Sequence, residues 1–444
     1  MDALMLARIQ FAFTIGFHFI FPPISIGLAW MLVAAEWLGW KKSDPDYVRV
    51  GKFFGKLFAV NFAVGVATGI VMEFQFGTNW AQYSKFVGDI FGAPLAAEGI
   101  FAFFLESTFL GLYLYGRGRV SKGLHWFSAL MVAVGATLSA FWIIVANSWQ
   151  QTPAGYVVRN GRAELTDFWA AVFNPSTMPR YLHTVTAALV CGAFVMSGVA
   201  AWHLLRDRKS IFAYKALRLG VTSGLVFSIL EVMPFGHLHA QQVARTQPEK
   251  FAAIEGLYTS QHHAPLVLFA IPFSPPPQLK ANIEVPGMLS WMAFGDMAAH
   301  VQGLDAVKQE DRPPLWITFV SFHNMVALGG WFIFLMSVAA WNIYTRKLTE
   351  RPLILKALVW SIPLPVVACE LGWTAAEVGR QPWIVYKLLR TSQAHSATVG
   401  AAEIWFSLLL FGAVYLLLGA LWLFLMIKKA KADPGELQAV SAHA

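Results

Sequence analysis

The chain has 444 residues, 57% of them hydrophobic, 15% aromatic and only 13% charged. Soluble proteins carry about 25% charged residues, so the composition excludes a soluble domain and places the chain in a bilayer. The net charge of +8 is gathered in short connectors, which makes it an orientation signal with affinity for anionic membrane lipid and excludes a nucleic-acid footprint. The two cysteines, Cys191 and Cys369, lie in apolar runs without a partner pattern, and there is no C-x-x-C-H for covalent haem and no Cys-based metal motif.

Nine apolar runs have the roughly 20-residue length of a membrane helix: 11–36, 54–78, 92–116, 124–148, 181–204, 216–236, 315–343, 353–372 and 402–426. The fold class expected is an all-α integral membrane protein. The first run is too long for a cleavable signal peptide and lacks a basic start, so it reads as a retained span. It carries His18 in "GFHFIFPP". Taken alone, a buried histidine is as well explained by packing as by ligation. The second run holds Glu73 near its end. The third holds Glu98 and Glu106 in "LAAEGIFAFFLESTF"; eight residues at about 100° each leave them about 80° apart, on one broad helix face. Packing does not account for two carboxylates at membrane depth, so they read as a proton relay or a cation site. Ser107, and Ser139 and Asn147 on the fourth run, could extend that path.

His183 stands at the mouth of the fifth run, after "NPSTMPRYLH", and Glu231 lies near the end of the sixth, where it reads as interfacial. Residues 237–314 form a Pro-rich connector without clear periodicity; loops of that length are functional or disordered. The chain divides accordingly into 1–236, 237–314 and 315–444. Met325 lies about ten residues into the seventh run, which at 1.5 Å per residue is about 15 Å of depth; a lone membrane Met carries little information. The eighth run leads into "LGWTAAEVGRQPW", which sets Trp373, Glu377 and Arg380 at the boundary.

The connectors at 39–56, 117–123, 206–218 and 345–356, with the tail from 427, hold 20 of the 33 Lys and Arg. Short basic loops stay cytoplasmic, so the N-terminus is expected outside and the C-terminus inside. His18, Glu98, His183, Met325 and Glu377 then fall in the outer half of the membrane, with Glu106 deeper. A transporter site belongs nearer the midplane. Imidazole, thioether and carboxylate gathered on one side suit axial ligation of haem iron, a His/Met pair for electron transfer and a lone His or Glu for an open coordination position. Two rivals remain: a haem b membrane anchor relaying electrons between quinone and a dehydrogenase, and a haem-free ion-coupled transporter. A haem–copper oxidase is disfavoured, because nothing supplies the His cluster that copper needs; "HLH" at 237–239 and "HH" at 262–263 read as solvated or quinol-adjacent.

From "RIQFAFTIGFHFIFPP" to "GRQPW" the sequence resembles subunit I of cytochrome bd-type ubiquinol oxidases, the branch that includes the cyanide-insensitive oxidases. "GWTAAEVGRQPW" matches that family's G-W-x-x-x-E-x-G-R-Q-P-W signature, "PEKFAAIEG" its quinol-loop segment, and "NSWQQTPAGY" and "AAEGIFAFFLES" also correspond. The resemblance implies His183 and Met325 as axial ligands of a low-spin haem b and Glu377 as ligand of a high-spin haem b. It implies His18 as ligand of haem d, or of a haem b in its place, with Glu98 beside it; the two high-spin assignments exchange between family members. Glu106, Ser107 and Ser139 would lie on the proton route, Lys250 and Glu255 would engage ubiquinol or menaquinol, Trp373 would bridge haems, and Arg380 would neutralise propionate or carboxylate charge. The implied activity is quinol oxidation with reduction of O2 to water in the bacterial inner membrane, electrogenic by one-sided proton uptake and release without a pump. The implied partners are a subunit II and, in some members, a small single-helix subunit. Two features depart from the family: His323 stands where Arg commonly precedes the Met ligand by two residues, and the loop is of the short type.

Overall fold

A computed structural model describes residues 2–273 and 278–434. Among them, nine helices are long and apolar enough to cross a membrane: Ala3–Lys41, Pro45–Thr78, Ala81–Tyr115, Lys122–Gln151, Thr177–Arg206, Ile211–Thr246, Leu315–Tyr344, Pro352–Val378 and Ala401–Ala430. They correspond one to one with the apolar runs, and the chain is an all-α integral membrane protein.

The fifth span is the axis of the bundle. Of its most apolar stretch 78% is buried, against 6% for the ninth. It packs against the sixth span and against the part of the first that runs from Phe21 to Lys41. The crossing with the first span is a contact of glycines: a Cβ on Gly27 would lie 2.5 Å from the Gly192 nitrogen, and one on Gly192 would lie 2.1 Å from the Gly27 carbonyl carbon. Small residues let membrane helices approach to backbone contact. The largest core cluster is built around this crossing, with Leu28, Leu32, Phe54, Phe58, Phe194 and Met336 fully buried.

Four spans are irregular: the eighth turns at 361–363 before Leu364, and in the other three the irregularity lies beside a polar residue. The first span breaks at Ile20 before Pro22 and Pro23, which have no N–H to continue the hydrogen-bond ladder. Asn61 of the second span donates to the Phe21 carbonyl at 2.8 Å, supplying the partner that backbone needs in lipid. The third span, after Pro94, has a π turn over Glu98–Phe103, and the sixth has one over Glu231–Gly236 around Pro234. Such single π turns concentrate at functional sites.

The connector differs from its expectation. Residues 237–246 continue the sixth span to Thr246, so Glu231 is inside a helix, not at its end. The π turn absorbs Pro234, which in the sequence reads as a helix end. The remainder is folded: a helix over Pro248–Glu255, a two-residue pairing of Gln261–His262 with His300–Val301, a hairpin of Leu266–Phe273 with Gln278–Val285, and a helix over Met288–Phe294. Phe251, Ile254, Leu257, Leu289, Val301 and Leu304 give it a small core. The two cysteines, without a pattern in the sequence, bring their Sγ atoms to 3.8 Å as free thiols.

Candidate functional site

Between the spans, at the end that carries the 247–314 segment, lies a cavity of about 1680 Å³. Pockets for one drug-sized ligand run to about 300–1,000 Å³, so this one has room for more than one large group. Its walls include His18, Glu98, Glu106, Ser139, His183, Lys250, Met325, Trp373, Glu377 and Arg380. Two expected residues are left out of the wall. Ser107 donates to the Phe103 carbonyl of its own helix at 2.7 Å. Glu255 is buried in the connector with its Oε2 unpartnered, and burial pushes its carboxyl up to about 8.

The two histidines are each held at one nitrogen. His18 Nδ1 lies 2.9 Å from Thr68 Oγ1. The Thr68 hydroxyl proton is committed to the Val64 and Gly65 carbonyls, both at 3.0 Å, so Thr68 accepts from Nδ1–H and Nε2 keeps its lone pair. Gly69 makes way for the ring: a Cβ there would lie 3.2 Å from His18 Cε1. His183 Nδ1 lies 2.8 Å from Glu231 Oε1, in ion-pair range but outside hydrogen-bond geometry, and Nε2 is left to face a ligand. Across the cavity Met325 Sδ is 2.8 Å from where a Cβ on Gly372 would be; any side chain at 372 would displace the sulfur.

Ser139 donates to Glu98 Oε1 at 2.7 Å, a direct link between the third and fourth spans. Glu106 packs against Gly135 of the fourth span, where a Cβ would lie 2.9 Å from its own. Glu98 and Glu106 line the same cavity as the helical arithmetic requires, and the π turn between them adds a residue to the intervening rotation.

At the cavity's mouth Glu377 is surrounded by donors. Arg380 reaches its Oε2 at 2.5 Å, Asn147 its Oε1 at 3.1 Å and Gln151 the same oxygen at 3.5 Å. Arg380 also donates to Gln150 at 2.6 Å, Lys250 to Gln151 at 3.2 Å, and Arg180 to Asn147. Three basic side chains, two of them guanidiniums, thus surround one carboxylate. Burial and the neighbouring Arg180 hold the Lys250 ammonium well below the usual lysine range, against the pull of Glu377, with Arg380 adding to the depression. Arg180 Nη1 and Arg380 Nε are buried without a partner. Buried donors are ordinarily satisfied, so the cluster is short of anions.

His323 does not replace the family's arginine here. Its ring stacks on Phe319 at 3.9 Å, and its nitrogens face the carbonyls of Phe319 and Val267 at 3.1 and 3.0 Å, tying the seventh span to the hairpin, away from the cavity wall. His237 and His239, expected at the connector, line the cavity from the prolonged sixth span.

A model of the cytochrome bd terminal oxidase subunit I family matches residues 6–434. The chain belongs to that family. It is 40% identical to a cytochrome bd ubiquinol oxidase subunit 1 of Bacillus subtilis (strain 168), covering 97% of this chain and 94% of that one. It is 34% identical to a cytochrome bd-II ubiquinol oxidase subunit 1 of Escherichia coli (strain K12), covering 98% of each. The fold matches the bd oxidase structure from Geobacillus thermodenitrificans with a TM-score of 0.91 at 32% identity, over 96% of this chain and 98% of that one. The family is one of haem-containing terminal oxidases, and the chain is a multi-pass protein of the bacterial inner membrane.

The donor set fits haem. Among the described residues no three His, Cys, Asp or Glu converge as a bare ion would need, whereas a porphyrin supplies four ligands itself and asks the protein for one or two. Imidazole, thioether and carboxylate reach the cavity singly, from different spans. The anion-deficient mouth is matched to propionates. Arg180 has no place in the expectations from sequence, Glu231 is expected to be interfacial and His239 solvated or quinol-adjacent. Arg180 had a signal: a basic residue at the mouth opposite the basic loops runs against the positive-inside bias.

Proposed function

We propose that the chain is the haem-bearing subunit of a quinol:O2 oxidoreductase. The N-terminus and the 247–314 segment lie on the periplasmic side and the basic loops on the cytoplasmic side. His183 and Met325 would hold a low-spin haem b, Glu377 a high-spin haem b, and His18, with Glu98 beside it, a haem d or a third haem b. Bound there, the haems supply one-electron transfer and the reduction of O2.

The chain's own residues do the rest. Lys250 and Glu255, on one short helix, engage ubiquinol or menaquinol at the periplasmic end, where its protons are released. Arg380, with Arg180, neutralises carboxylate and propionate charge, which lets Glu377 remain an anion in a buried place. Trp373, four residues before Glu377 on the same helix, would bridge haems. Glu106 takes protons arriving from the cytoplasmic side and Ser139, bonded to Glu98, carries them toward the oxygen site; Ser107 is a branch of that route only if its hydroxyl leaves Phe103. Uptake on one side and release on the other would separate charge without a pump. A second subunit of similar size, with or without a single-helix subunit, completes the oxidase.

The observation that carries this reading is the shared cavity: separate single donors on its wall and an excess of buried cations at its mouth. A reduced-minus-oxidised spectrum with pyridine haemochromogen analysis of the purified complex tests it. A d-type band beside b-type bands is expected, or high- and low-spin b-type signals where haem b replaces d. Low-spin b-type bands alone would mean an electron-relaying anchor, and a colourless protein a haem-free transporter.

A further inference from the structure

The two imidazoles at the cavity are built with different partners. His18 Nδ1 meets a hydroxyl, and that hydroxyl is already donating to two carbonyls; its partner is neutral and fixed. His183 Nδ1 meets a carboxylate, Glu231 Oε1, at 2.8 Å, an ion-pair distance that falls outside hydrogen-bond geometry, so Nδ1 too is buried without a hydrogen-bond partner. Glu231 is placed there by the π turn that begins at it and absorbs Pro234. Its second oxygen, Oε2, is buried without a hydrogen-bond partner, and the His183 ring is flanked on another side by His239, ring centroids 5.2 Å apart. A buried carboxylate whose contact is one imidazole costs stability, and neither packing nor helix continuity needs a glutamate at this position.

An imidazole that gives its outer N–H toward a carboxylate is more basic at the other nitrogen and is held in one tautomer and orientation. A more basic axial ligand favours the oxidised metal, so second-shell hydrogen bonding is one of the levers on haem potential. Building on the axial role assigned to His183 above, we propose that Glu231 is a positioning residue: it fixes the His183 ring with Nε2 toward the cavity and lowers the midpoint potential of the low-spin centre. The neutral Thr68 gives His18 no such shift. The two partners therefore set a potential step, with the electron-entry centre below the oxygen-side centre, and electrons descend from one to the other.

The test is spectroelectrochemical titration of the purified complex as wild type, Glu231→Gln and Glu231→Asp, with His183→Ala as control. Glu231→Gln keeps the low-spin band and moves its midpoint to more positive potential; Glu231→Asp, which retains the acceptor at shorter reach, shifts it less, and the high-spin midpoints stay in place. A low-spin band present at unchanged midpoint in Glu231→Gln would overturn the proposal, and so would loss of that band in both Glu231 variants, which would mark a purely structural role. A low-spin band that survives in His183→Ala would instead remove the ligand assignment itself.

Discussion

Two buried charge clusters occupy opposite ends of the bundle, and they are finished differently. At the end opposite the connector, Glu36 of the first span is 5% exposed and pairs with Arg117; the Tyr113 hydroxyl donates to it at 3.3 Å, and His125 Nδ1 is 3.6 Å away. His125 is itself tied through Nε2 to the Tyr113 carbonyl at 3.0 Å. Nothing more fits: a Cβ on Gly51 would lie 2.1 Å from Glu36 Oε1. At the connector end Glu377 has more cations than it can neutralise, two buried N–H groups without partners, and a cavity in front of it. The closed cluster joins four helix ends; the open one holds a place for anionic groups. Burial of charge alone does not mark a ligand site. Leftover donors beside empty volume do.

Exchanging the two clusters' roles by mutation would break this contrast, and the largest effects are expected at the open end. Glu377→Ala should eliminate one high-spin haem signal and quinol oxidase activity together, and Met325→Leu the low-spin signal alone, both read from difference spectra; an unchanged spectrum removes the residue from the ligand set. At the closed end, Glu36→Ala leaves the half-buried Arg117 and the buried His125 without their partner. Breaking one side of a fully buried pair costs about 3–5 kcal/mol; because Arg117 reaches water the loss here falls below that range, to be seen as a lower Tm in detergent with haem per folded protein unchanged. If haem is lost while Tm holds, the clusters are not functionally distinct.

Smaller effects sharpen the picture. Glu106→Gln should slow turnover by about 10²-fold, the lower range for a lost proton-transfer group, with haem content intact; a normal rate would take Glu106 off the proton route. Glu255 offers a pH test outside the membrane. Its carboxyl is raised from 4.5 to about 8, so the folded state binds the proton that the unfolded chain has released, and stability falls as pH rises between those values. Glu255→Gln should therefore gain on the wild type by about 1 kcal/mol per pH unit from pH 5 to 8, measured as a Tm difference. A constant difference would mean that Glu255 titrates normally and has access to water.

Much of this was legible in the residues. Nine spans follow from hydrophobic length, and Glu98 and Glu377 stand out because carboxylates at such depth are rare; His18 and Met325, each ordinary when taken alone, are singled out by the family resemblance. What escaped depended on long-range placement. Glu231 was hidden by Pro234, a local helix-end signal that a π turn overrides. Ser107 has the right helix and depth, yet its hydroxyl turns back to its own backbone, a choice made by the side chain and invisible to periodicity. The connector lacks a repeating pattern because its helices and hairpin are each too short to show one, although together they close a small core.

The glycine crossing between the first and fifth spans also bears on where the two imidazoles sit. Gly27 lies nine residues beyond His18 and Gly192 nine residues beyond His183. The fifth span is continuous over that length, whereas the first bends at Ile20 on the way. Two missing methyl groups, bearing no chemistry of their own, thus pin the helices that carry both histidines to one shared point.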